Sequence, residues 1–242
     1  MRTSAFVVAL LLSSAGVAAA QQERGPGAPV DQNWTEFVGR EDRFTANFPG
    51  APQITATTYT SQFGAALPAR VYSAALEERR QGVPGDRGPS RYSLTVVDYA
   101  PLEKLLTEKS KNCPVGAETC RGNASPSSST GAGYWKVDFA GAVVYATWQF
   151  MQRDAKVTEL IWNNIDLVEG NLLHLTNADR SRTYVGIFMH DGRLYISEAT
   201  VPPGYPEPGL FQQSLGWIDE NGRGIRYQTL YHHGLPVPPR AR

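Results

Sequence analysis

The Asp191-Gly192 dipeptide, set between two apolar runs, is the strongest local constraint in this chain. A two-residue type I′ hairpin needs positive φ at both central positions, which Asp and Gly accept readily. Fixing the turn fixes the pairing of the flanking strands. Met189 falls opposite Leu194, Ile187 opposite Ile196, and Val185 opposite Glu198. Side chains alternate across a strand, so these residues form an aliphatic face expected in the core. On the other face His190, Phe188, Gly186 and Tyr184 meet Arg193, Tyr195, Ser197 and Ala199. That face is aromatic with polar tips, and a helix or loop is expected to cover it.

Similar short runs fill the rest of the chain. Alternating or β-branched, aromatic-rich stretches predict strands at residues 34–38, 43–48, 54–60, 69–76 and 92–99. In the second half they predict strands at 134–139, 143–152, 157–163, 172–176, 183–190 and 194–200, with a last one at 225–231. Leu102, Leu105 and Leu106 lie at i, i+3 and i+4 after Pro101, which predicts a helix. A short helix is expected within 210–217. Residues 81–89, 121–133 and the Pro-rich 201–209 read as loops. The expected fold is α+β: a mainly antiparallel sheet covered by two or three helices.

Domain organisation follows from the ends. Arg2, the apolar run from Phe6 to Leu12 and the Ala18-Ala19-Ala20 site predict a signal peptide over residues 1–20. A flexible leader (21–33), one α+β domain (34–233) and a Pro-rich tail (234–242) follow. The protein is therefore expected to be periplasmic or secreted, with no membrane span once the signal is removed. Export makes a Cys113–Cys120 disulfide the simplest use of the two cysteines. With 23 basic and 23 acidic residues the chain lacks the basic excess of a nucleic-acid binder.

The segment Phe44-Thr45-Ala46-Asn47-Phe48-Pro49-Gly50-Ala51-Pro52 resembles the opening strand of the PsbP-like (Mog/PsbP-type) α/β/α sandwich. The order of a strand near Arg70-Val71-Tyr72, the 92–99 strand, a helix, and the 193–199 strand before Phe211 and Ser214 is similar too. The resemblance implies an α/β/α sandwich and a protein-binding or assembly role. It implies no catalytic residue. The Ser-rich stretch, the cysteine pair and the extended tail depart from the pattern.

His174, His190, His232 and His233 show no metal-ligand spacing, and no metal or cofactor is expected. His190 begins a tight turn and is expected to be exposed. No Gly-x-Ser-x-Gly elbow or phosphate loop occurs. Glu198 sits on the aliphatic face near a strand end, where reaching water or an Arg is the simplest expectation. Trp34, Trp135, Trp148 and Trp162 read as core aromatics. Tyr205, Phe211 and Trp217, in and after the Pro-rich segment, read as a binding surface. The expected function is an exported, non-enzymatic protein-binding or assembly module with an envelope protein partner. The alternative is an envelope hydrolase that uses carboxylate or His residues.

Overall fold

The Asp191-Gly192 hairpin forms in the register that its turn dictates. In the computed structural model, which describes residues 34–76, 89–112, 133–232 and 235–236, Asp191 and Gly192 take φ of 47° and 72°. Met189 pairs with Leu194, Ile187 with Ile196, and Val185 with Glu198. The expected signal peptide over residues 1–20, the expected Cys113–Cys120 disulfide, His233, the Ser-rich stretch before Gly133 and most of the tail lie outside the described residues.

In chain order the elements are β1 (Trp34–Gly39), β2 (Phe44–Pro49), β3 (Gln53–Thr60), β4 (Ala66–Leu76), β5 (Ser90–Asp98) and α1 (Leu102–Lys111). Then come α2 (Gly133–Met151), β6 (Ala155–Ile165), β7 (Val168–Asn177), β8 (Arg182–His190) and β9 (Arg193–Val201). The one-turn α3 (Gly209–Gln212) and three two-residue strands close the order: β10 (Gly216–Trp217), β11 (Tyr231–His232) and β12 (Leu235–Pro236). The main sheet runs β6-β7-β8-β9-β5-β4-β3 and is antiparallel at every step. β11 joins the Val168 end of β7 in parallel and carries β12.

Alternation gives this sheet two apolar faces and hence two cores. On one face, Leu67, Ala69, Val97, Leu173, Leu175, Val185, Ile187, Met189, Leu194 and Ile196 pack under α1 and α2. Leu102 and Leu106 of α1 enter this core, whereas Leu105 is more than a third exposed. From α2, Ala142, Ala146 and Phe150 enter at intervals of four, and the two alanines let the helix lie close to the sheet. The buried Asp138 ties the start of α2 to the β3–β4 turn. Its carboxylate accepts from Ser61 Oγ at 2.5 Å and from the amides of Gln62 and Phe63 at 3.2 and 3.3 Å. Burial pushes the Asp138 carboxyl above its ordinary range, against the opposing pull of these donors.

The second face carries Tyr72, Tyr92, Leu94, Val96, Phe188, Tyr195 and Ala199. A small antiparallel sheet, β1-β2-β10, covers it with α3. Phe44, Ala46 and Phe48 of β2 alternate inward, and edge-on ring contacts lock the layers, Phe44 to Tyr72 at 4.9 Å and Phe48 to Phe211 at 5.3 Å. Just before β2, the buried Asp42 accepts from Arg70 at 2.7 and 2.5 Å and from Tyr72 at 2.6 Å. The Tyr195 hydroxyl donates to its carbonyl at 2.7 Å. The polar tips of this aromatic face are thus satisfied across the junction between the two sheets.

Three sequence expectations are corrected. Residues 134–139 and 143–152 are not two strands: all but Gln152, which follows in a turn, belong to the single helix α2. The 210–217 stretch is helical only over Gly209–Gln212; Gly216 and Trp217 extend beside β2, with Trp217 opposite Phe44. In 225–231, Tyr231 alone is in a strand, and Ile225 bonds instead to the Trp217 carbonyl at 2.8 Å.

Candidate functional site

α2 is apolar on all sides. Its charged residues are Lys136 and Asp138, and Asp138 is buried. A helix that buries one face normally presents a polar outer face to water. Here the outer face is a row of Val137, Val144, Trp148 and Met151, all exposed. At 100° per residue these four fall within roughly 60° of arc, and the row is about 21 Å long at about 1.5 Å per residue. Trp148 stacks on Tyr145 at 5.8 Å yet is 51% exposed.

β6 exposes further apolar side chains on the same side of the sheet. Leu160 pairs with Leu173 and Trp162 with Asn171. Cross-strand partners share a face, and Leu173 lies in the core under the helices, so Leu160 and Trp162 are on the helix-bearing side. Asn171 Nδ2 donates to Thr147 Oγ1 of α2 at 3.0 Å. That bond fixes the helix beside the strand. Trp162 is 58% exposed, and Leu160 and Ile161 are exposed as well. Trp148 and Trp162, read from sequence as core, are therefore surface residues. No sequence signal marked them, because both sit among apolar residues and α2 has no polar face against which an exposed one would stand out.

The sequence-predicted surface is mostly interior. Phe211 and Trp217 are buried. Phe211 fills the gap between Phe48 and Tyr92, at 5.3 and 5.5 Å. Trp217 packs edge-on against Tyr195 at 5.0 Å and donates from Nε1 to the Ile165 carbonyl at 3.0 Å. Both rings are needed because, among the described residues, no long helix lies above the large sheet's second face. Tyr205 stands apart and half-buried; its carbonyl accepts from the Arg182 guanidinium. The structure does not bring the three together as a surface.

The titratable groups are mostly paired. His190 is not exposed at its turn but buried, stacked on Trp217 at 4.6 Å and sharing a 2.7 Å hydrogen bond from Nε2 with the Tyr227 hydroxyl. Burial lowers its pKa to about 4, with Arg193 and Arg43 acting in the same direction and Asp191 against it. The imidazole is neutral at pH 7, and its buried Nδ1 has no partner among the described residues. Tyr227, Tyr231 and Trp217 come from remote parts of the chain, so no local pattern marked this enclosure. His174 Nδ1 lies 2.6 Å from Glu159, and its ring meets Tyr184 edge-on at 4.6 Å. His232 pairs with Glu169. Glu198 is held by both guanidinium nitrogens of Arg153, at 2.6 and 3.1 Å. Among the described residues no group of three His, Cys, Asp or Glu side chains could hold a metal ion. None of their helices is long and apolar enough to cross a membrane.

Compared with known protein families and with curated proteins, the chain matches none.

Proposed function

We propose that this protein is an exported, non-enzymatic protein-binding or assembly module of the cell envelope, and that the apolar surface on α2 and β6 is where it binds. The observation that carries this reading is the exposure of Val137, Val144, Trp148 and Met151 along α2, with Leu160 and Trp162 exposed on the same side of the sheet. Scattered apolar residues on a surface need no explanation, but a contiguous patch is a mark of an interaction site. Tryptophan is also among the residues that contribute most to protein interfaces. α2 already buries its inner face, so the outer row adds nothing to the fold.

A PsbP-like relationship belongs to the same proposal. Its support is the Phe44–Pro49 strand, the central antiparallel sheet and the helical layer over one face. The other layer departs from that pattern, because a three-stranded sheet and one helical turn stand where helices are expected.

Affinity capture from the native envelope tests the binding role. Trp148→Glu should lose the proteins that the natural protein retains, while Ile54→Glu on the opposite edge strand, β3, should retain them. Equal capture by both variants would refute the assignment.

A further inference from the structure

We propose that the partner of the α2–β6 surface is a second copy of this chain, joined by antiparallel pairing of β6 with β6 about a two-fold axis at Ile161; this rests on the binding role assigned above. Among the described residues β6 is an outer strand of eleven residues whose ladder partner is β7. It contains no proline, and its charged residues are Lys156 and Glu159. Edge strands are ordinarily blunted by charge, proline or cover. The opposite edge, β3, also lacks charge and proline, but Gln53-Ile54-Thr55-Ala56-Thr57-Thr58-Tyr59-Thr60 is polar along most of its length, so pairing there would bring few apolar side chains together.

The backbone sets the register. Asp166 and Leu167 both take positive φ, 46° and 65°, between the paired Ile165 and Val168. This is the type I′ arrangement, in which the residues flanking the turn form a hydrogen-bonded pair. Bonding alternates from there along an antiparallel ladder. Ile165, Asn163 and Ile161 therefore bond to β7, and Asn164, Trp162 and Leu160 direct their amides and carbonyls to the open edge. A two-fold axis at Ile161 sets Leu160 of each copy opposite Trp162 of the other, so outward groups meet outward groups. Apolar side chains also meet apolar ones, on the same side of the sheet as the α2 row. The irregularity between Val157 and Glu159 lies beyond this central pairing. The two ends are complementary in charge, because the antiparallel arrangement brings Lys156 of one copy toward the Asp166 end of the other. Closed two-fold dimers are the commonest protein assembly, and a self-complementary strand edge suits that symmetry.

Sedimentation equilibrium of the purified protein, with a disulfide cross-link as the register probe, tests the proposal. The natural protein should have twice the chain mass. Trp162→Lys, at an exposed position, should keep the native circular dichroism spectrum and weaken self-association on the order of tenfold or more. In a chain with Cys113 and Cys120 replaced by Ser, Ile161→Cys should oxidise to a covalent dimer. Non-bonded antiparallel partners lie about 4.5 Å apart at Cα, within the roughly 4.4–6.8 Å that a disulfide spans. Thr58→Cys on β3 should not cross-link. A monomer at about 100 μM, or a dimer that survives Trp162→Lys, would overturn self-pairing. If envelope capture still depends on Trp148 in that case, the binding surface stands and only the identity of its partner is wrong.

Discussion

Acidification should unfold this protein partly through one buried imidazole. His190 is enclosed by Trp217, Tyr227 and Tyr231, at ring separations of 4.6, 5.7 and 5.2 Å. Its pKa falls from 6.5 to about 4, chiefly because burial disfavours the charged ring. Above pH 6.5 the folded and unfolded states both hold it neutral, and it adds no slope. Between pH 6.5 and 4 the unfolded chain takes up a proton that the folded protein refuses, so stability drops as pH falls. At about 1.36 kcal/mol per pH unit the loss over that window is about 3 kcal/mol, and below pH 4 this contribution levels off. The assay is urea unfolding at pH 7.5, 6.5, 5.5 and 4.5 for the natural protein and for His190→Phe. The variant keeps a ring against Trp217 and removes the titration, while the carboxylates titrate alike in both proteins. The natural protein should lose about 2–3 kcal/mol more than the variant between pH 7.5 and 4.5. Parallel losses would refute the account of the enclosure.

Four further outcomes follow from the packing. Ile187→Ala, at the centre of the hairpin core, should lower unfolding free energy by about 2–5 kcal/mol in denaturant titration. Trp217→Ala should cost about 3–5 kcal/mol because the ring is sealed between the two sheets, whereas Tyr205→Ala should stay within about 1 kcal/mol, since its carbonyl still meets Arg182. Asp42→Ala should cost about 2–3 kcal/mol, below the roughly 3–5 of a fully sealed pair, because about a third of the Arg70 side chain remains in water.

The strands were legible wherever one face is buried and the other is wet, because alternation then prints the pleat into the sequence. β2 is a clear instance, with Phe44, Ala46 and Phe48 inward and Thr45, Asn47 and Pro49 between them. The hairpin was legible to the residue, because Asp191-Gly192 allows few turns. α2 was not. An amphipathic stripe reveals a helix, and this one has no polar side to contrast with its buried one. Its aromatic and β-branched residues then favour the reading as strands. The Asp138, Ala142, Ala146, Phe150 spacing was the available cue, but Val137, Val144 and Trp148 masked it. The surface was missed for the same reason, since Trp148 and Trp162 carry the composition of core residues. His190, Phe211 and Trp217 were misplaced because their burial comes from distant segments. Tyr227 and Tyr231 close over His190, and β2 lies over Phe211 and Trp217.

The most direct test of the binding surface is photo-crosslinking in the native envelope, with a benzophenone side chain placed in turn at positions 148, 162 and 54. All three natural residues are more than half exposed. Positions 148 and 162 should yield a discrete protein adduct, and position 54 on β3 should yield none. Adducts from position 54 alone, or none from 148 and 162, would contradict a binding role for α2 and β6.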